Sequence, residues 1–206
     1  MSAARDAILA AVRDATAGGE APAPIARAYR RAGTRTPSEC VELLHERIAD
    51  YRATVRRVPA AGVGAAVAEA AAGRLVIPPG LDPAWRPPGA VEDHDFTPQE
   101  LDALDGVVTG CTLAIAETGT IVLAAGPNEG RRALTLVPDL HICIVRSSQI
   151  VETVPEAFAA LAALEARPLT FVSGPSATSD IELKRVEGVH GPRQLVVVIA
   201  DEEPTP

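Results

Sequence analysis

The sequence has few aromatic residues and few cysteines. Phe, Tyr and Trp make up 3% of its 206 residues, and it contains three cysteines. Cys40, Cys111 and Cys143 are far apart and form no CxxC pair, so the sequence encodes neither a disulfide framework nor a cysteine-ligated metal cluster. The four histidines also lack the HExxH spacing of zinc enzymes. We therefore expect this chain to hold no metal and no other cofactor.

Two further absences concern membranes and nucleic acids. No apolar run approaches the roughly 20 residues that cross a bilayer, and the charges of Arg5, Asp6, Arg13 and Asp14 are unlike those of a signal peptide. The net charge is −8, so the surface as a whole does not attract phosphate groups. We expect a cytoplasmic protein that has no membrane span and does not bind nucleic acid.

What the sequence does contain is typical of a globular α/β protein. Hydrophobic residues make up 47% of the chain and charged residues 22%, which predicts a core of Ala, Val, Leu and Ile. A capping signal, TPSE, begins at Thr36 and precedes apolar residues at helical spacing as far as Val55. A second helix is predicted at residues 64–72 and a buried strand at residues 74–77. This alternation of helix and strand predicts an α/β fold.

The remaining pattern divides the chain into an arm and one domain. Residues 1–36 are predicted to form a helical arm and a linker whose arginines are either solvated or docked on an acidic partner, and residues 37–206 a single α/β domain. The long loop at residues 81–96 is predicted to lie on the surface, either as a lid or docking loop or with Trp85 covering the edge of the core. The other predicted elements are helices at 97–104 and 153–166 and strands at 106–115, 121–125, 141–145, 169–172 and 195–200.

The densest set of polar groups lies at residues 171–192. A buried strand is predicted to end at Val172, where the sequence SGPS breaks it. A short helix is predicted to begin at Ser179 and to end near Gly188. Such a strand, loop and helix direct backbone N–H groups at an anion. The hydroxyls of the loop either bind that anion or only cap the helix.

Three kinds of side chain are further candidates for the site. Glu117 occupies a turn between two buried strands, where it serves either as a nucleophile or base or as a structural hydrogen-bond acceptor. His190, in a tight turn before the last strand, is either catalytic or a hydrogen-bonded loop residue. Arg131 or Arg132 either binds a carboxylate or phosphate at the same end of the sheet or is solvated. The predicted ligand-binding residues are Gly119, Thr120, Arg131, Ser173, Gly174, Ser176, Thr178, Ser179 and Asp180.

Four short motifs occur in order within about the last hundred residues. They are AETGT at 116–120, a proline before a buried strand near His141, SGPSATSDIE at 173–182 and GVHGP at 188–192. Each motif alone is weak, but the ordered set resembles the lactate utilization protein C family, whose members contain a lactate utilization (LUD) domain. Ser179 stands where this family often has alanine.

The resemblance implies both a fold and a metabolic system. The implied fold is an open, mostly parallel sheet with flanking helices, similar to phosphosugar isomerases, coenzyme A transferases and 5-formyltetrahydrofolate cyclo-ligases. The implied system is the bacterial oxidation of L-lactate to pyruvate beside two iron–sulfur proteins, which carry the clusters. One hypothesis is therefore a non-redox component of that system. The alternative is an autonomous enzyme that acts on a small carboxylate or phosphosugar and uses Glu117.

Overall fold

The computed structural model describes residues 3–17, 25–164, 167–175, 177–178, 186–187 and 191–202. Its helices are α1 (Ala3–Thr16), α2 (Pro37–Asp50), α3 (Val63–Ala70), α4 (Pro98–Asp102) and α5 (Val154–Leu161). Its strands are β1 (Thr54–Pro59), β2 (Leu75–Ile77), β3 (Val91–Glu92), β4 (Gly106–Thr109), β5 (Leu113–Ile115), β6 (Thr120–Leu123), β7 (Leu140–Arg146), β8 (Ile150–Val151), β9 (Thr170–Val172), β10 (Ala177–Thr178), β11 (Val186–Glu187) and β12 (Gln194–Asp201).

The main sheet is parallel throughout. Its six strands lie in the order β1-β12-β7-β4-β2-β3, and every neighbouring pair in it is parallel. Two neighbouring interior strands, β7 and β12, are almost continuously apolar and buried, as expected for strands that are covered on both faces. The predicted open, mostly parallel α/β sheet is thereby confirmed.

Alternate residues of β12 face two different cores. Val197 and Ile199 pack in one cluster with Leu44 of α2. Val198, on the opposite face, packs in a second cluster with Val67 of α3. Helices α2 and α3 therefore cover opposite faces of the main sheet, because each buries its apolar stripe against one set of alternating strand residues.

A second sheet lies on the α2 side. Its four strands are in the order β8-β5-β6-β9, with β6 antiparallel to both β5 and β9. Ala114 and Ile121 pack in the same cluster as α2, whereas Val122 faces Ala157 of α5. The single strand predicted at 106–115 is therefore two strands, β4 and β5, in different sheets. The chain bends between them at Thr112, after Gly110, whose N–H donates to the carbonyl of Asn128 at 2.9 Å.

Helix α2 is shorter than predicted. Its capping box forms, with the Thr36 side chain accepting from the N–H of Glu39, and so do the boxes at Thr97 and Thr153. The helix ends at Asp50, however, and Arg52 has a φ of 65°. Val55 continues the helical spacing but lies in β1, because its backbone pairs with Val197 near the other end of the chain.

The segment at 81–96 is a cover for the sheet edge. Trp85 is 7% exposed and packs in the cluster that contains α3. The guanidinium of Arg146 lies 4.8 Å from the centroid of the Trp85 ring, close enough for a cation–π interaction. The same segment contributes β3, which extends the main sheet next to β2. Of the two predicted roles, the structure favours Trp85 as a cover of the core.

The predicted site segment differs from expectation in two respects. Strand β9 is present but only partly buried, with Phe171 45% exposed. Val186 and Glu187, expected in a helix, instead form β11 and pair with β10 in an antiparallel ladder, so the helix is wrong at these residues. The rest of that predicted helix, residues 179–185, lies outside the described residues.

Helix α5 is also shorter than predicted. It ends at Leu161, and residues 162–164 form a turn and a bend instead of continuing it, while residues 165 and 166 lie outside the described residues. Among the helices of the described ranges, none has the length and apolarity required to cross a bilayer.

Candidate functional site

Residues 30–36, here called the docking segment, bind the acidic edge of the second sheet. Arg30 forms an ion pair with Glu117. The Arg35 side chain pairs with Glu152 at 2.7 Å, and the Arg35 backbone N–H donates to the same carboxylate at 2.6 Å. The Glu152 residue is 4% exposed. Arg30 and Arg35 therefore pair with acidic residues distant in sequence, while their side chains stay 53% and 41% exposed.

Close packing at Gly33 holds the docking segment against α5 and Glu152. The Gly33 N–H donates to Glu156 at 2.9 Å. A Cβ atom at this position would lie 2.0 Å from a Glu152 carboxylate oxygen, so any larger residue would displace that carboxylate. Glu156 also caps α5 by accepting from the backbone N–H of Thr153 at 2.8 Å. One carboxylate thus serves both the helix and the docking segment.

Acid is expected to release the docking segment. The N–H of Arg35 lowers the pKa of Glu152, and the N–H of Gly33 lowers the pKa of Glu156, both from the usual 4.5. Because these folded pKa values are depressed, the stabilisation is complete above pH 4.5 and is lost as the pH falls through the lower folded values. NMR amide shifts of Gly33 and Arg35 should therefore change with a midpoint below pH 4.5.

Two variants make this pH prediction specific. Glu152→Gln should abolish the titration at Arg35 while leaving the folded core intact. Glu46→Gln, on the exposed face of α2, should leave the titration unchanged. A titration at Arg35 that persists in Glu152→Gln would show that another group controls the docking segment.

Glu117, the predicted catalytic carboxylate, faces the docking segment. Its side chain is 29% exposed and pairs with Arg30, and this hydrogen bond raises the pKa of the Arg30 guanidinium. The backbone N–H of Glu117 donates to the carbonyl of Glu152 at 3.1 Å. These contacts are those of a structural ion pair. The catalytic role of Glu117 stays a prediction.

The turn after β5 meets the loop after β9. The hydroxyls of Thr120 and Ser173 lie 2.8 Å apart, and the Thr118 hydroxyl donates to Thr120 at 2.8 Å. Gly119 and Gly174 both have positive φ, 60° and 84°. The structure thus brings together four of the predicted ligand-binding residues, because β6 and β9 are neighbours in the second sheet.

The other predicted site residues are elsewhere or not described. Arg131 forms two hydrogen bonds to Asp93, both at 2.8 Å, and a third to the carbonyl of Phe96 at 2.6 Å. The bonds from Arg131 to the carboxylate lower the pKa of Asp93, and all three bonds hold the segment at 81–96 in place. Thr178 lies in β10, and only its backbone is described. Ser176, Ser179, Asp180 and His190 lie outside the described residues.

A cavity of about 230 Å³ lies beside the loop after β9. Its polar lining consists of Arg132, Thr135, His141, Thr170 and Ser173, and its apolar wall includes Phe171, Val172 and Leu195. His141 and Leu195 are near the amino ends of β7 and β12, and Ser173 follows the carboxyl end of β9. The cavity therefore lies between the two sheets and contains two of the predicted residues, Ser173 and Gly174.

Sequence reasoning missed three of the polar lining residues, Thr135, His141 and Thr170, and left a fourth open. Arg132, which had been one of two alternatives with Arg131, donates to the carbonyl and hydroxyl of Thr135 at 2.7 and 3.0 Å. Partial burial lowers the pKa of the Arg132 guanidinium, which nevertheless stays protonated in proteins. His141 is 2% exposed, and its Nε2 lies 2.8 Å from the hydroxyl of Thr109. A histidine within an otherwise apolar, buried strand was the available signal for this position.

Two buried cysteines lie behind His141. Cys143 is on the same face of β7, and its thiol donates to the carbonyl of Gly110 at 3.6 Å, whereas the thiol of Cys111 donates to the Gln149 side chain at 3.7 Å. The neighbouring Cys111 thiol lowers the pKa of Cys143, helped by His141 and opposed by burial. The neighbouring Cys143 thiol, together with burial, raises the pKa of Cys111. Both thiols are free, and within the described ranges no group of three or more His, Cys, Asp and Glu side chains is placed to hold a metal ion.

A second cavity lies at the carboxyl ends of β2, β4 and β7. It has a volume of about 480 Å³ and is lined by Asp82, Trp85, Asn128 and Arg146, among others. Open α/β sheets commonly bind ligands at this edge. Here the charged groups already have partners, since Asp82 caps the turn at Ala84 and Arg146 covers Trp85 and lies 3.8 Å from Glu202.

The fold and its cavities place this protein in a structural class: an open, parallel α/β domain that has a second, mixed sheet and a small polar cavity between the two sheets. The chain belongs to the LUD domain family, whose model matches residues 30–200. This match confirms the resemblance noted in the sequence. It also includes the docking segment, whereas the predicted boundary between arm and domain at residue 36 stays a prediction.

Relatives of the chain include proteins named for lactate utilization. It is 48% identical over 185 residues to "Lactate utilization protein C" of Deinococcus radiodurans, covering 86% of this chain and 82% of that protein. It is 38% identical over 95 residues to "Lactate utilization protein C" of Bacillus pumilus, covering 43% of this chain and 39% of that protein. A DUF162 family crystal structure from D. radiodurans has a TM-score of 0.72 and 41% identity, covering 81% of this chain and 99% of that one.

Proposed function

We propose that this chain is a non-redox component of bacterial lactate utilization, in which L-lactate is oxidised to pyruvate together with two iron–sulfur proteins. The observation that carries the proposal is the 48% identity to a lactate utilization protein C over 82% of that protein's length. The cysteine content supports the non-redox role. Iron–sulfur clusters are usually held by four cysteine thiolates, and this sequence has three cysteines.

The contacts of Glu117 weigh against the alternative of an autonomous enzyme. A carboxylate nucleophile or base must reach the substrate, but Glu117 is engaged by Arg30 and is not among the described residues that line the cavity beside Ser173. The proposal therefore assigns Glu117 to holding the docking segment.

Reconstitution tests the proposed function. We expect lactate-dependent electron transfer by the two purified iron–sulfur proteins to fall by at least about tenfold when this chain is omitted, a loss of about 1.4 kcal/mol in activation free energy. Added Glu117→Gln protein should restore most of the activity. An undiminished rate without the chain would refute the proposal. Lactate oxidation by this chain alone, abolished by Glu117→Gln, would instead establish the enzyme alternative.

A further inference from the structure

We infer that the cavity beside Ser173 is a binding site for a small 2-hydroxy or 2-oxo monocarboxylate, with Arg132 as the residue that binds the carboxylate. The assignment of the site rests on its lining residues alone. The choice of lactate and pyruvate as the acids rests on the proposed function.

The charge of the lining favours a monoanion. Arg132 is a permanent cation, and the described lining of this cavity contains no Asp or Glu. The other polar side chains there are the hydroxyls of Thr135, Thr170 and Ser173 and the imidazole of His141. A single positive charge matches one carboxylate, whereas a phosphate dianion is normally bound by several cationic or backbone donors.

Arg132 is held in place and still has donors available. Its Nη1 group is fixed by the carbonyl and hydroxyl of Thr135, at 2.7 and 3.0 Å. Within the described part of the chain, its Nε and Nη2 groups have no hydrogen-bond partner. Arginine binds carboxylates through pairs of parallel N–H donors. The Thr135 contacts therefore orient the guanidinium and leave one edge of it for a ligand.

Size and polarity limit the rest of the ligand. The cavity volume of about 230 Å³ is below the 300–1,000 Å³ of typical drug-sized sites, so the acid is short. The apolar part of the lining, which includes Val172 and Leu195, suits a methyl group. The Ser173 hydroxyl is paired with Thr120, but a hydroxyl has one donor and two acceptor sites, so it can also bond an oxygen on the carbon next to the carboxylate. A three-carbon hydroxy or oxo acid satisfies all of these conditions.

The second cavity provides the matched control, since it also contains one arginine, Arg146. Calorimetric titration of the full chain with sodium L-lactate and sodium pyruvate should detect binding in the millimolar range or tighter. Arg132→Gln should weaken this binding by at least about tenfold, as expected for the loss of a charge-assisted pair. Arg132→Lys should retain part of it, and Arg146→Gln should leave it unchanged. Circular dichroism establishes that each variant is folded.

Four results would overturn the inference. They are no binding of either acid at tens of millimolar, tighter binding of inorganic phosphate than of lactate, undiminished binding by Arg132→Gln, and loss of binding in Arg146→Gln instead. These outcomes are independent of the reconstitution experiment, because the titration uses this chain alone. A chain that binds lactate but is dispensable for electron transfer would contradict the proposed function and leave the site established.

Discussion

Glu129→Ala is expected to destabilise the protein by about 3–5 kcal/mol, because it leaves several buried hydrogen-bond donors without an acceptor. Glu129 is 3% exposed. Its carboxylate accepts from the Thr112 hydroxyl at 2.6 Å and from the N–H groups of Ala124 and Gly126 at 2.6 and 3.1 Å. Alanine would leave the two backbone N–H groups buried without an acceptor. The loop that carries them leads directly to Arg132, so its shape also determines the position of that side chain.

Two further variants separate the contributions at Glu129. Thr112→Val removes a single donor and should cost about 1 kcal/mol, the usual net value of one hydrogen bond. Glu129→Gln keeps one acceptor oxygen but turns an N–H₂ group toward donors, so its cost should be intermediate. Urea unfolding followed by circular dichroism measures all three free energies of unfolding. A loss below about 1 kcal/mol for Glu129→Ala would mean that water replaces the carboxylate in this loop.

Gly119→Ala is expected to destabilise the protein by roughly 2–5 kcal/mol through two additive effects. Gly119 has a φ of 60°, and this left-handed conformation costs a residue with a Cβ atom about 1–2 kcal/mol of conformational free energy. The new Cβ would also lie 2.8 Å from the Cβ of Arg47 and 2.9 Å from its backbone carbon. Overpacking of this kind adds about 1–3 kcal/mol, because the backbone of α2 cannot move aside alone.

Gly89→Ala is the matched control for this prediction. Gly89 has a similar φ of 77°, but a Cβ atom there would meet nothing within 4 Å. Its cost should therefore be the conformational part alone, about 1–2 kcal/mol. Equal losses for the two alanine variants, measured by urea unfolding, would show that the approach of the turn to Arg47 is unimportant. Gly119 was predicted to bind a ligand, and this contact supplies a packing reason for glycine at the same position.

The sequence by itself determined the local features of this protein. Three capping boxes, each a Thr followed three residues later by a Glu, begin at Thr36, Thr97 and Thr153. All three form, because a cap depends on residues within one turn. The interior strands β7 and β12 were also predictable, since continuous apolar runs indicate strands buried on both faces. The ordered motifs of the last hundred or so residues were sufficient to identify the family.

Only the tertiary structure decided which residues meet. The order of the sheet, the division of 106–115 between two sheets and the end of α2 before Val55 all depend on pairing with distant strands. The same is true of the docking of Arg35 on Glu152 and of the cavity that joins Arg132 to His141 and Ser173. Each of these contacts is made between residues far apart in the chain, and the free energy that selects them comes from burial and pairing that local spacing does not encode.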